Sequence, residues 1–205
     1  MEIGIYANTH GQGYRDETDM YLAHTPVSEM HPVLTAQLAE QYGFHSIWYP
    51  DHVCMPIQSG SAHTANVSGQ RAYQPNHNML DMAVVMGSVA ACTKRIKLGT
   101  SVLIAPYRHP LSDARQFATV DIMSQGRLML GVGSGWMQEE FAACAQNYEV
   151  RNAQTDECLQ IYKRSWTDEK VEFDGAHYKF EDISMDPKPV QKPHPPIVFA
   201  GNTPV

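Results

Sequence analysis

The residues able to do chemistry gather in a few short stretches of this chain. Tyr49-Pro50-Asp51-His52 sets a carboxylate beside an imidazole. At the end of a strand, that pair suits acid–base work or the polar edge of a ring. A solvated acid beside an ordinary loop histidine is the plainer alternative. Gly131-Val132-Gly133-Ser134-Gly135-Trp136 runs GxGxG. Its glycines let the backbone approach a ligand, and amides near a helix start stabilise an anion. Trp136 stands where a third glycine would complete a dinucleotide fingerprint, so that motif is not met. A tight turn without any ligand uses the same residues. Gly99-Thr100-Ser101-Val102 offers small hydroxyls for ligand heteroatoms, although Thr and Val are also ordinary strand formers. Arg108-His109-Pro110 offers a basic pair for a phosphate. Arg127 reads as surface charge. Glu139 and Glu140 read as first-turn acids favoured by the helix dipole, with no part in catalysis.

The chain has ten histidines, yet no HxH and no HExxH, and no two histidines lie four apart. A metal-dependent hydrolase on a barrel would want several of these, so no metal is expected.

These stretches need elements to hold them. Short β runs alternate with helical stripes. Strands are expected at Glu2 to Ala7, His45 to Tyr49, Arg95 to Leu103, Leu128 to Val132 and Ile197 to Ala200. Helices are expected from Pro32 to Tyr42, with Leu34, Leu38 and Tyr42 as the stripe and Gly43 just past the end, and around Leu80, Ala83, Val84, Gly87 and Ala91. A third opens at Pro110, with Ala114, Phe117, Ala118, Asp121 and Ile122 at helical spacing, and closes at Gln125-Gly126. Helical sequence returns from Met137 to Gln146 and from Arg151 to Trp166. Val171 to Phe180 reads as a hairpin turning at Asp174-Gly175. Strand–helix alternation implies a parallel sheet, either doubly wound or a (β/α)8 barrel. Both place their sites at the C-terminal strand ends, where the long loops Asn8 to Val27 and Asp51 to Asn78 lie. With five strands in 205 residues, the pattern reads as the front part of a barrel, one domain over 1–205.

Composition narrows the partners. The chain is 43% apolar and 18% charged, which fits a folded core. Its net charge of −7 disfavours nucleic acid and anionic membranes. The longest nearly apolar stretch, Met82 to Cys92, is too short for the ~20 residues a bilayer needs. The N-terminus lacks a leader pattern, and four irregularly spaced cysteines suit a reducing compartment, so a cytoplasmic location is expected. Unpaired edges at the first and fifth strands lead us to expect self-association into a homo-oligomer.

Taken in order, the stretches resemble the bacterial luciferase-like, flavin-dependent monooxygenase family. Ser46 to His52 is similar to its second-strand motif, and Leu98 to Leu103 with Tyr107 to Pro110 to its third strand and loop. Ala118 to Arg127 is similar to the third helix and turn, and Gly131 to Trp136 to the fourth strand end. Trp166, Phe173-Asp174-Gly175, Tyr178 and Pro187 to Pro196 resemble its insertion and approach to the fifth strand.

The resemblance implies a (β/α)8 barrel with about five of its eight strands in these residues. It implies FMN at the C-terminal face or, in a large subgroup, the deazaflavin coenzyme F420. The ring system is expected near Tyr6, Asp51, Thr100 and Ser101, with Val102, Gly133, Ser134 and Gly135 also at the cofactor. A non-proline cis peptide is implied at Ser101-Val102 or a neighbouring bond, and a phosphate loop at Gly201-Asn202-Thr203. With FMN, a small organic substrate would be oxygenated using O2. With the deazaflavin, the reaction would be hydride transfer. His52 is the candidate for proton handling in both. Trp136 stands where some deazaflavin-dependent dehydrogenases of the family carry an acid, which speaks against a sugar-phosphate dehydrogenase. A non-enzymatic partial barrel that binds flavin or a partner is the rival from another class. The 205 residues alone are expected to bind cofactor weakly.

Overall fold

The computed structural model describes residues 1–7, 9, 25–63 and 75–199. The elements run β1 (Gly4–Tyr6), α1 (Val27–Met30), α2 (Pro32–Gln41), β2 (Ser46–Tyr49), α3 (Met82–Cys92), β3 (Lys97–Thr100), β4 (Leu103–Ile104), α4 (Pro110–Met123), β5 (Leu128–Gly133), α5 (Gln138–Ala143) and α6 (Arg151–Thr167). The hairpin strands β6 (Val171–Asp174) and β7 (Lys179–Ile183) follow, then β8 (Ile197–Phe199).

β1 pairs with β2, β2 with β3, β3 with β5 and β5 with β8, all in parallel. β4 pairs with the far end of β5. The single strand expected from Arg95 to Leu103 is thus two pieces of one strand. They are separated at Ser101-Val102, whose peptide bond is cis. Five strands therefore lie side by side in chain order, as in a barrel wall, with no reversal of the kind a doubly wound sheet shows.

Strand alternation sorts the side chains of β2. Ile47 and Tyr49 are buried in a core shared with Ala36, Ala39, Met86, Val89 and Ala90 of α2 and α3. Trp48 points to the opposite face, where a Cβ on Gly99 would run into its ring. Its indole Nε1–H donates to Ser46 Oγ at 2.9 Å.

The helix ends follow local chemistry. Gly43, at φ +78, terminates α2. The Gly43 and Phe44 amides return to the carbonyls of Glu40 and Ala39, as in a Schellman cap. Asp81 caps α3 by accepting from Val84 N at 2.9 Å. Pro110 opens α4 and His109 Nδ1 accepts from Leu111 N at 3.3 Å.

Three expectations are corrected. On α2, Leu34, Leu38 and Tyr42 are 50%, 41% and 75% exposed, and Ala36 and Ala39 face the sheet instead. Small residues let that helix sit close to the strands. On α3 the buried face is Met82, Val85, Met86, Val89 and Ala90, whereas Val84 and Ala91 are exposed. That helix is apolar nearly all round, so its sequence carries little phase information. Arg127 is buried rather than a surface charge. Its guanidinium donates to the carbonyls of Ala90, Thr93, Ile96 and Ser124 and to Thr93 Oγ1, at 2.6–3.0 Å. It ties the last turns of α3 and α4 to the start of β3, satisfying carbonyls that helix ends leave unpaired. Among the described residues, no helix is long and apolar enough to cross a membrane.

Candidate functional site

The C-terminal ends of β1, β2 and β4 and the loop after β5 converge on a cavity of about 130 Å³. Tyr6, His52, His63, Ser101, Val102 and Trp136 are among its walls. Of the residues expected at a cofactor, Tyr6, Asp51, Ser101 and Val102 meet here, together with the proton-handling candidate His52.

Asp51 lines the cavity, yet its carboxylate is already engaged. Arg108 Nη1 and Nη2 donate to its two oxygens at 2.8 and 2.6 Å, and Ile104 N donates at 3.0 Å. The basic pair considered for a phosphate therefore contributes Arg108 to an ion pair and His109 to a helix cap. Thr100 is buried, and its hydroxyl donates to Gly131 O at 2.7 Å, which directs it into the sheet rather than into the cavity. Gly133 and Ser134 line a neighbouring cavity of about 250 Å³ with Asn152, Thr155, Asp156 and Phe199. Gly135, at φ +83, packs where a Cβ would lie 2.7 Å from Phe141. Gly201, Asn202 and Thr203 fall outside the described residues.

Behind His52 stands Glu140, which the sequence had not marked for the site. Its side chain is fully buried. Oε2 lies 2.7 Å from His52 Nδ1 and accepts from Tyr107 Oη at 2.8 Å. Oε1 accepts from the amides of Val53 at 2.7 Å and Cys54 at 3.2 Å. Burial is the largest single influence on the Glu140 carboxyl and pushes its pKa up. The His52 bond and charge, with the Tyr107 and Cys54 bonds, outweigh it, and the net shift is downward. Burial and the charge of Glu140 push the Tyr107 phenol far up, so it remains a donor.

Glu139 faces the other way and grips the same loop further along. It accepts from Ser59 Oγ at 2.9 Å, Ser61 Oγ at 2.7 Å and Gly60 N at 2.6 Å. What burial it has raises its pKa, and these bonds overcome that and bring it down to about 2. The loop then delivers His63 to Trp136, edge to face at 4.8 Å between ring centres, with His52 6.5 Å away on the same indole. Burial, then the nearby His52, lowers the His63 pKa and favours its neutral form.

A concavity of about 800 Å³ lies elsewhere, between α6 and the β6–β7 hairpin. Its lining is mainly charged and it is remote from the strand ends, so we do not place chemistry there. Among the described residues, no group of three or more His, Cys, Asp or Glu side chains is arranged to hold a metal ion.

A family model described as luciferase-like monooxygenase matches residues 1–205. The chain belongs to the luciferase-like monooxygenase family. It is 32% identical over 167 residues to an F420-dependent glucose-6-phosphate dehydrogenase of Amycolatopsis mediterranei, covering 80% of this chain and 45% of that protein. It is 31% identical over 129 residues to an FMNH2-dependent dimethylsulfone monooxygenase of Pseudomonas putida, covering 62% and 35%. The solved structure of the monooxygenase RslO1 from Streptomyces bottropensis superposes with a TM-score of 0.74 at 26% identity, covering 98% of this chain and 54% of that one. The chain spans about half the length of the curated relatives it matches.

In this luciferase-like chain the residues missed from sequence are Glu140 and Tyr107. A signal for the first was available. Met137, Glu140, Phe141 and Cys144 share one helical face, and Met137 and Phe141 are both fully buried. An acid on an apolar stripe is an acid that needs partners.

Proposed function

We propose that this chain forms the flavin-facing strand ends of an oxidoreductase that oxidises a small organic substrate with reduced FMN and O2. The observation that carries this reading is the cavity at the C-terminal strand ends, with His52 in its wall and Glu140 behind it. The lining suits a planar ring with polar edges. Val102, Ile104 and Trp136 give apolar contact, and Tyr6, Ser101 and His52 give polar contact. Gly133 and Ser134, on the neighbouring cavity, suit the rest of the cofactor. The bound flavin supplies reducing equivalents and the chemistry with O2. The chain supplies orientation, exclusion of water and a proton relay at His52 Nε2.

A second reading is hydride transfer with the deazaflavin. The 32% identity to a relative named for F420 favours it. The two readings share the site and differ in the need for O2.

Anaerobic titration with reduced FMN and with reduced F420, followed by fluorescence, separates them. We expect weak but saturable binding of one. Oxygen consumption with substrate then marks the first reading, and F420-coupled turnover without oxygen marks the second. His52→Gln should depress turnover about 100-fold. Binding of neither cofactor would sink both readings.

A further inference from the structure

Glu140 makes more contacts than a loop anchor requires. One oxygen takes the two backbone amides of Val53 and Cys54, and the other takes Tyr107 Oη and faces His52 Nδ1. The amides can only donate. The phenol remains protonated and donates as well. A carboxylate surrounded in this way cannot rotate, and it can only accept. In the neutral ring His52 Nδ1 must therefore carry the proton, which leaves Nε2 as the acceptor across the ring. His52 itself lines the cavity.

We propose that Glu140 is a positioning residue that fixes His52 as the Nδ1–H tautomer and so commits Nε2 to receive the substrate's proton. The inference rests on the proposed proton role of His52. When Nε2 takes a proton from a substrate O–H, the imidazolium keeps its Nδ1–H bond to Glu140, whose charge balances it. The imidazolium then passes that proton from Nε2 to solvent, which restores the neutral ring for the next turnover.

Glu140→Gln tests this sharply. The two amide donors need an oxygen opposite them, so the new NH2 group must face His52 and Tyr107. It would donate to Nδ1 and force the proton onto Nε2, inverting the tautomer. Tyr107→Phe removes one donor and leaves the carboxylate facing Nδ1, so it should not invert it.

The measurement is a ¹⁵N–¹H correlation of the histidine rings in the full chain without cofactor, on the alkaline side of the imidazole transition, with His52→Gln assigning the signals. Wild type and Tyr107→Phe should show Nδ1–H with an unprotonated Nε2, and Glu140→Gln the reverse. In turnover, Glu140→Gln should lower kcat at least 100-fold with cofactor affinity within threefold. Nε2–H in the wild type, or an unchanged tautomer in Glu140→Gln, overturns the proposal. If Glu140→Gln does not fold, the wild-type and Tyr107→Phe spectra decide by the same criterion. Failure to bind flavin would remove the proposed function and leave the tautomer result standing, so the two failures are distinguishable.

Discussion

Arg108 grips Asp51 with both arms of its guanidinium, at 2.6 and 2.8 Å, and the carboxylate it holds is almost wholly buried. The same carboxylate receives the Ile104 amide, so one acid joins the end of β2, the end of β4 and the approach to α4. Burial disfavours the charge of Arg108, but the bonds and charge of Asp51 prevail and its pKa rises.

Arg108→Met leaves the Asp51 carboxylate without its cation. Breaking a buried pair from one side costs about 3 kcal/mol or more. Urea unfolding should show that loss, and Asp51→Asn/Arg108→Met together should lose less than the sum of the singles. Strict additivity would show that the pair is not coupled.

Asp113 gives a pH dependence of unusual sign. It is fully buried, and its Oδ2 accepts from Tyr162 Oη at 2.9 Å. Among the described residues, Oδ1 has no hydrogen-bond partner. Burial raises its pKa to about 7, against the opposing pull of Arg108. Between about pH 4 and 7 the folded chain holds this proton more tightly than the unfolded chain. Stability from this group is therefore full at low pH and is lost as pH rises to 7. Relative to wild type, Asp113→Asn should gain roughly 1–3 kcal/mol across that interval. Parallel stability curves for the two proteins would refute the assignment.

Arg127→Met removes a donor set that serves five acceptors at once. Leaving several buried carbonyls unsatisfied should cost about 3 kcal/mol or more. Arg127→Lys keeps the charge but lacks the planar fork, and should recover only part of that. Thermal unfolding of the three proteins orders them; a lysine variant equal to wild type would argue against the geometry.

The Glu139 clamp should fail on the acid side. Its pKa is held at about 2, below the ordinary 4.5, so its hold on the loop is complete above pH 4.5 and weakens as pH falls toward 2. Hydrogen exchange at the Gly60 and Ser61 amides should speed up over that interval. In Glu139→Gln exchange should already be fast at neutral pH, with no acid transition left.

The sheet was legible because short β runs such as Leu128 to Val132 are bounded by turn residues, and the Asp51-His52 and Ser101-Val102 positions follow from strand ends alone. Helix faces were less legible. On α2 the aliphatic stripe is exposed and alanines do the packing, a choice set by the distance to the sheet and not by hydrophobicity. On α3 nearly every residue is apolar, so no face stands out. Polar partners were hidden for another reason. Glu140 and His52 are 88 residues apart, and Arg127 meets carbonyls of α3 that carry no side-chain signature. Only the folded chain brings them together. Thr100 shows the reverse case, a hydroxyl at the expected strand end that the sheet uses for itself.

Trp48 lies against Gly99 on the sheet face opposite Ile47, where a Cβ would run into its ring, whereas at Gly131 it is the Thr100 carbonyl and not the indole that leaves no room for one. The chain's freedom to diversify is therefore unequal. Loop residues 53–63 and Trp136, at the rim of the cavity, can be exchanged to suit a new substrate without disturbing the sheet, so long as His52 and Glu140 stay. Positions 48 and 99 are bound in one steric bargain. A larger residue at 99 is admissible only with a smaller one at 48, so the two should drift as a pair through the descendants of this sequence while the rim changes around them.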